Sequence, residues 1–182
     1  FLLFVGTLEP RKDVASLVTA FASIAGSHED LSLVVAGGRG WRDQALQAAL
    51  SAAGPCRERA VFTGYVPDDA VPALLRRAAA VAYPSLSEGY GLPALEAMAC
   101  GAPLVTTSGT AMAEVAGDAA VLVPPGDVDA LAGALSDLLA AGRDDPGVLA
   151  RRATGLDRAA ARTWAGSAER HVEAYRIAAG LR

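Results

Sequence analysis

Short apolar runs alternate with longer segments of helical periodicity along most of this 182-residue chain. Continuous apolar runs are typical of strands that are covered on both faces of a sheet. Strands that alternate with helices predict an α/β fold with a doubly wound, parallel, Rossmann-like sheet. The six predicted strands are residues 1–6, 31–36, 61–63, 80–83, 104–106 and 119–123.

The segments between these runs place apolar residues at helical spacing. Asp13 and Asp127 are candidate N-caps, and so is either Asp68 or Asp69. The hydrophobic fraction of 52% is sufficient for a large buried core. Helices are predicted at 14–25, 43–53, about 68–79, 93–100, briefly near 115, at 127–141, and over 148–182 with interruptions near Gly155 and Gly166.

Six parallel strands of this kind suit the order 3-2-1-4-5-6, in which the winding reverses between strands 1 and 4. Ligands of open α/β sheets bind beyond the carboxyl ends of the strands at that reversal. The loops that follow the two strands are residues 7–13 and the stretch that carries Glu88. We therefore expect two segments about eighty residues apart in sequence to converge on one crevice.

The segment 85–101, SLSEGYGLPALEAMACG, links the fourth strand to a helix. Gly89, Gly91 and Leu92 supply a turn with free backbone amides, and a helix N-terminus attracts phosphate. Glu96 lies one turn into the helix, so Glu88 and Glu96 are predicted to face one pocket from two sides. An acidic residue near a helix start also complements the helix dipole without any ligand.

The string E-G-Y-G-L-P-A-L-E-A-M-A-C-G-A-P-L-V closely resembles the signature of the retaining glycosyltransferases called "glycosyl transferases, group 1". The resemblance implies the GT-B fold, in which each of two Rossmann-like halves is one domain. It also implies that Glu96 holds the ribose of a nucleotide-sugar donor and that Glu88 lies beside the donor sugar. Backbone amides of the turn, at Gly89, Gly91 and Leu92, would hold the diphosphate.

The first loop, in V-G-T-L-E-P-R-K-D, is similar to the glycine, proline and lysine loop of the same family. The resemblance makes Gly6 the family glycine and Lys12 the lysine that binds the donor phosphates. Thr7 stands where many members have arginine, and Arg11 is the candidate for that second cation. Two adjacent basic residues in a loop are also commonly just solvated, whereas paired cations stabilise a leaving diphosphate without a metal.

Other segments near the predicted crevice are each compatible with two interpretations. Val66 follows strand 3 and resembles a backbone contact to the base, but a turn at the strand end explains it equally well. Glycines 37, 38 and 40 favour a tight turn over a phosphate loop. The alternative is that Arg39 or Trp41 of this segment reaches the donor. The hydroxyls of 106–110 line the crevice or cap a helix, and Glu114 is expected to face solvent.

Charge and residue spacing exclude several classes of function. The net charge of −4 provides no basic field for nucleic acid. Cys56 and Cys100 have no metal-ligand spacing, and no Asp-x-Asp motif lies near the predicted pocket, so no metal is expected. His28 and His171 lack the context of a catalytic triad, which disfavours a hydrolase. No apolar run approaches the roughly 20 residues of a membrane span, and a cytoplasmic location is expected.

Taken with the resemblance, residues 1–182 are interpreted as the C-terminal, nucleotide-sugar-binding domain of a retaining hexosyltransferase. The donor would be linked to UDP, GDP, ADP or dTDP. We expect the acceptor domain, and any peripheral membrane contact, to belong to an absent N-terminal half, and the isolated fragment to be inactive. Trp164 and Tyr175 are predicted to pack, and the segment from about 148 to face the missing half. The alternatives are half of a nucleotide-sugar epimerase and a non-catalytic nucleotide-binding domain.

Overall fold

The six predicted strands form one sheet in the computed structural model, which describes residues 1–38, 40 and 44–180. The strand order is β3-β2-β1-β4-β5-β6, and each neighbouring pair is parallel. The predicted doubly wound α/β fold is therefore confirmed. The strands are β1 Leu2–Val5, β2 Leu33–Ala36, β3 Ala60–Gly64, β4 Ala80–Tyr83, β5 Leu104–Thr107 and β6 Ala120–Val123.

Helices cover both faces of the sheet, as the winding requires. Asp13 and Asp127 cap α1 and α6 through their carboxylates, which accept hydrogen bonds from the N–H groups of Ser16 and Ala130. The helices are α1 Val14–Ala25, α2 Gln44–Ala52, α3 Val71–Arg77, α4 Leu92–Ala99, α5 Ala111–Ala116, α6 Val128–Ala141, α7 Pro146–Ala160 and α8 Trp164–Ala178.

The central strands carry the hydrophobic core. β4 is buried at every position, and Leu2, Leu3 and Phe4 of β1 are fully covered. The Phe4 ring meets the Tyr83 ring edge to face, with centroids 5.7 Å apart. This geometry suits aromatic quadrupoles and joins the two strands at the winding reversal. The carboxyl ends of β1 and β4 are thereby fixed side by side.

Backbone hydrogen bonds join the loops that follow β1, β2 and β3. The Gly6 N–H donates to the Ala36 carbonyl at 2.8 Å, and the Leu8 N–H donates to the Gly38 carbonyl at 3.1 Å. A Cβ atom on Gly37 would lie 2.0 Å from the carbonyl oxygen of Gly6, so only glycine fits there. The glycines after β2 thus serve close packing, as the tight-turn interpretation predicts. Arg39, Trp41 and the helix start predicted at Asp43 lie outside the described residues.

The caps predicted at Asp68 and Asp69 are wrong. α3 begins at Val71, and Ala70 precedes it without a side-chain cap. Residues 68–70 form a turn instead, and Pro72 occupies the first helical turn. Pro72 fixes the start of the helix because its missing N–H costs nothing there. Asp68 is therefore available for a different contact.

The interruption predicted near Gly155 is also wrong, whereas the one predicted near Gly166 is found just before that residue. α7 runs through Gly155, where a Cβ atom would lie 3.2 Å from Cγ of Met98 on α4. Glycine at this position lets α7 approach α4 closely. The real break lies at 161–163, and the Thr163 hydroxyl accepts a hydrogen bond from the Gly166 N–H in the first turn of α8.

Helix α8 has no buried residue. Trp164 is 87% exposed and Tyr175 is 68% exposed, so the packing predicted for both side chains is not found within the described part of the chain. Ile177 is 70% exposed on the same helix. The exposed apolar surface expected near the end of the chain is present.

Candidate functional site

The loops after β1 and β4 meet, as the strand order predicts. The Leu86 N–H donates to the Arg11 carbonyl at 2.8 Å. This bond ties the turn before α4 to the short 3-10 segment Pro10–Lys12. Side chains from the two loops are consequently held in direct contact.

Glu88 forms ion pairs with both cations of the first loop. Its Oε1 accepts from Nζ of Lys12, and its Oε2 accepts from Nη1 of Arg11 at 3.0 Å. The side chains of Lys12 and Glu88 are 10% and 7% exposed. A buried lysine of this kind requires a partner. We call Arg11, Lys12 and Glu88 the cation cluster.

Arg11 is the exposed member of the cation cluster, with 44% of its side chain accessible. Its Nε donates to Oε2 of Glu9 at 2.7 Å, and Nη1 also approaches the Ser87 carbonyl at 3.3 Å. The hydrogen bond to Glu88 is the main cause of a raised Arg11 pKa. The guanidinium is permanently charged and presents further N–H donors toward solvent.

Glu88 is held ionised. Burial alone would raise the pKa of its carboxyl group, but the hydrogen bond and charge of Lys12, together with Arg11, outweigh burial and lower that pKa. The hydroxyl of Ser85 also lowers the pKa of Glu88, although the two side chains do not meet in hydrogen-bonding geometry. At neutral pH Glu88 therefore accepts hydrogen bonds and has no proton to donate.

The turn from Glu88 leads directly into α4. Gly91, the residue before the helix, has a φ of 93°, and a Cβ atom there would lie 3.0 Å from Cα of Met112. Both the conformation and the space require glycine. The N–H groups of Leu92 and Ala94 have no acceptor within the helix, and Pro93 between them has no N–H. They begin next to the cation cluster, where they suit an anion.

A cleft of about 460 Å³ lies between α3 and α4, over the end of β1. Val5, Val71 and Leu75 form apolar walls, and Asp68 and Glu96 contribute carboxylates. The volume falls in the range of ligand pockets. Partial burial, and then the charge of Asp68, raises the pKa of Glu96. The two carboxylates are thus close enough to repel each other across the cleft.

The structure distributes the predicted site residues over two adjoining places. Glu96 lines the cleft, whereas Glu88 belongs to the cation cluster and is not part of the cleft lining. Helix α4 connects them, because Glu88 precedes its first turn and Glu96 is its fifth residue. The other predicted residues lie at the same edge of the sheet, on loops at Gly6, Thr7, Val66, Gly89 and Gly91 and in the first position of α4 at Leu92.

The threonines in the last two positions of β5 and in the turn after it favour the structural interpretation. Thr106 Oγ1 donates to the Tyr83 carbonyl at 2.9 Å, and Thr107 Oγ1 donates to the Ser85 carbonyl. Thr110 caps α5 by accepting from the Ala113 N–H. These hydroxyls brace β4 and the start of the Glu88 turn. Glu114 is exposed, as expected.

Two residues of the site were missed by the sequence analysis. Ser85 is fully buried beside Glu88, and its hydroxyl has no hydrogen-bond partner among the described residues. Asp68 lines the cleft, although the sequence pattern indicated a helix cap. The Pro67-Asp68-Asp69 sequence placed after a strand at the crevice edge was the available signal for Asp68.

The stability of the cation cluster should depend on pH. Because the folded pKa of Glu88 lies below its ordinary value of 4.5, its carboxylate stabilises the fold above that value. This contribution is lost as the pH falls through the lower folded pKa. Glu88→Gln should reduce the free energy of unfolding by about 1 kcal/mol at neutral pH. The difference from the wild type should shrink below about pH 4.

Urea unfolding over a pH series measures this difference. Glu114→Gln, at an exposed glutamate on α5, corrects for the loss of one negative charge. A difference between wild type and Glu88→Gln that grows with acidity would contradict the assignment of Glu88 as the ionised partner of Lys12.

Within residues 1–38, 40 and 44–180, no three His, Cys, Asp or Glu side chains come together as a group suited to a metal ion. None of the helices described is both long and apolar enough to cross a bilayer. Cys56 and Cys100 are free thiols, and burial is the main cause of a raised Cys100 pKa.

Comparison with known proteins gives one consistent family. The sequence model described as "Glycosyl transferases group 1" matches residues 1–141. The chain is 35% identical to the O-antigen chain mannosyltransferase B of Escherichia coli over 179 residues, which are 97% of this chain and 46% of that protein.

Solved structures agree with the fold. Sucrose-phosphate synthase from Thermosynechococcus elongatus superposes with a TM-score of 0.79 at 25% identity, over 97% of this chain and 45% of that one. The C-terminal domain of a group 1 glycosyl transferase, LpcC from Francisella tularensis, gives 0.74 at 24% identity, over 89% and 85%. The chain thus spans about half the length of the mannosyltransferase and of the synthase.

Proposed function

The chain belongs to the glycosyl transferases group 1 family, and we propose that it is the donor-binding half of a retaining hexosyltransferase. The donor is a nucleoside diphosphate sugar, and the acceptor site belongs to a second domain. The observation that best supports this proposal is the cation cluster, which lies at the winding reversal of the sheet beside the first turn of α4. Cations and free helix N–H groups together suit a diphosphate.

Lys12 and Arg11 would stabilise the leaving group. When the bond between the anomeric carbon and the phosphate oxygen breaks, negative charge develops on the nucleoside diphosphate. The Lys12 ammonium has three N–H donors, of which one meets Glu88, so the others are available to phosphate. The Arg11–Glu9 pair is exposed, and its exchange for phosphate costs little. Donors fixed before the reaction stabilise such developing charge most effectively.

Glu88 would hold these donors in place and accept hydrogen bonds from hydroxyl groups of the sugar. Its lowered pKa excludes it as a general acid at neutral pH. Glu96, at the cleft rim on α4, would accept from the ribose hydroxyls. A donor bound in this way has its nucleoside in the cleft and its diphosphate at the cation cluster.

Titration of the chain with UDP, GDP, ADP and dTDP tests the proposal. At least one of these nucleotides should bind, and Lys12→Ala should weaken that binding. If none of the four binds to the folded chain, the chain is not a donor-binding domain. Neither the epimerase alternative nor the non-catalytic one is favoured by a specific observation, since Lys12 and Glu96 are both present.

We expect the same titration to be independent of divalent metal ions. The charge of the diphosphate would be balanced by Lys12 and Arg11, so Mg²⁺ is not needed for affinity. Adding a chelator should leave the dissociation constant of the tightest nucleotide unchanged. A large loss of affinity on chelation, restored by Mg²⁺, would argue for a metal-dependent transferase.

The remaining parts of the proposal concern the missing half. The exposed apolar side chains of α8, Trp164, Tyr175 and Ile177, would face that domain in the whole enzyme. The isolated chain would bind donor without transferring sugar, because it lacks the acceptor site. A cytoplasmic location, with membrane contact only through the other half, completes the proposal.

A further inference from the structure

The cleft between α3 and α4 has more acceptors than a ribose requires. Glu96 and Asp68 both belong to its lining, and an ionised carboxylate only accepts hydrogen bonds. The proposed function uses Glu96 for the ribose. Asp68 is an exposed acceptor in the same lining, and the base is the part of the ligand that can offer it donors.

The walls of the cleft suit a flat base. Val5, Val71, Pro72 and Leu75 contribute apolar surface to the same lining as the two carboxylates. Such surface favours a planar ring system, but it does not discriminate between bases. Discrimination must come from the polar group at the rim, because a polar group left unpaired on binding costs affinity.

Tyr65 is the hydrogen-bond partner of Asp68 in the described part of the chain. The phenol donates to Oδ1 of Asp68 at 3.3 Å. One carboxylate has about four acceptor sites, so Oδ1 and Oδ2 both keep capacity for a ligand. The Tyr65 ring is 72% exposed and covers none of the cleft lining. Asp68 is thus an exposed acceptor in the cleft lining, whereas its neighbour Asp69 is outside that lining.

The common bases differ in what they offer to such an acceptor. Guanine presents two adjacent donors, N1–H and the N2 amino group, which match the two oxygens of one carboxylate. Uracil and thymine present a single N3–H between two carbonyl oxygens, which a carboxylate repels. Adenine presents one amino group beside a ring-nitrogen acceptor. Bidentate, charge-assisted pairs are the strong ones.

We propose that Asp68 makes this cleft selective for guanine, so that the donor is a GDP-linked sugar. The inference rests on the proposed function, because it assumes that the nucleoside occupies the cleft. It adds the class of donor, which the family alone does not specify. Selectivity arises from attraction for guanine and from repulsion of pyrimidine carbonyls by the same carboxylate.

Calorimetric titration of the chain with GDP, UDP, ADP and dTDP tests the proposal. GDP should bind tightest, and Asp68→Asn should weaken GDP binding by roughly 10- to 100-fold. The same variant should leave UDP binding unchanged or improve it, since the repulsion is removed. Asp69→Asn is the matched control, with the same loss of charge one residue away, and should leave all four affinities unchanged.

Inosine diphosphate differs from GDP by the absence of the N2 amino group, so comparing the two ligands measures the contribution of that group. The wild type should bind inosine diphosphate more weakly than GDP, and Asp68→Asn should bind the two alike. Tight binding of UDP, ADP or dTDP, at or above that of GDP, would overturn the guanine assignment and leave the proposed function intact. Equal weakening of all four nucleotides in Asp68→Asn would overturn it as well. Absence of binding by every nucleotide would remove the proposed function together with it.

Discussion

Lys12→Ala is expected to lower kcat/KM of an enzyme that contains both halves by roughly 10²- to 10³-fold. The lost ammonium is the buried donor of the cation cluster, and in the proposed binding mode charge develops beside it on the leaving diphosphate. In the isolated chain the same change should weaken binding of the nucleoside diphosphate by roughly 1.5–3 kcal/mol. The monophosphate should be affected less, because one phosphate of the ligand no longer reaches the cluster.

Three comparisons make this measurement specific to Lys12. Arg11→Ala should have the smaller effect, because Arg11 is the exposed cation and its pair with Glu9 faces solvent. Arg170→Ala, at an exposed position on α8, removes one positive charge elsewhere and should leave affinity unchanged. The penalty of Lys12→Ala should also decrease as salt rises. Equal losses for mono- and diphosphate would show that Lys12 supports the fold of the site without contacting phosphate.

The sheet could be predicted from the sequence because its signal is carried by whole segments. The run before Gly6 and the run 80–83 have no polar residue, and the structure buries all of β4 and most of β1. Two such strands belong in the centre of a parallel sheet, where helices cover both faces. Their adjacency then placed the two functional loops in one crevice.

The contacts within the crevice could not be predicted in the same way. Glu88 and Lys12 are 76 positions apart in sequence, and their pairing depends on the backbone bond between Leu86 and Arg11. The hydrophobic periodicity of the sequence does not indicate such a hydrogen bond. The resemblance assigned Glu88 to the sugar, and the structure shows it in ion pairs with both cations.

Asp68 and Gly155 show a second limit of structure prediction from the sequence. An aspartate before an apolar helical stripe is ordinarily a cap, yet Pro72 sets the start of α3 and leaves Asp68 at the cleft. A glycine within a helical stripe ordinarily marks a break, yet Gly155 is where α7 packs on Met98. The first outcome depends on a proline four positions along the chain, and the second depends on α4, a helix that is distant in sequence from Gly155.

Glu96→Gln should weaken nucleotide binding by roughly 1–3 kcal/mol. The amide keeps the shape of the side chain but replaces a charged acceptor of the ribose hydroxyls with a neutral one. The loss should be similar for a nucleoside mono- and diphosphate, because both contain the ribose, and Glu96→Ala should lose at least as much. A 2′,3′-dideoxynucleotide should bind the wild type weakly, and Glu96→Gln should cause little further loss.

The stability of the same variant separates this role from that of a helix-dipole partner. The dipole effect falls off beyond the first turn, and Glu96 is the fifth residue of α4. Since the folded pKa of Glu96 is raised above 4.5, its ionised form opposes folding at neutral pH, and stability increases as the pH falls through that raised value. Removing the charge should therefore raise the free energy of unfolding at neutral pH, while nucleotide affinity falls.

A dipole partner would give the reverse pattern. Glu96→Gln would then lower the free energy of unfolding by roughly 0.3–1 kcal/mol and leave nucleotide affinity unchanged. Urea unfolding and calorimetric titration of one preparation report both quantities, with Glu114→Gln as the control for net charge. The two roles predict changes of opposite sign in the free energy of unfolding, and only the ribose contact predicts a loss of nucleotide affinity. Unchanged affinity in folded Glu96→Gln would therefore exclude the ribose contact.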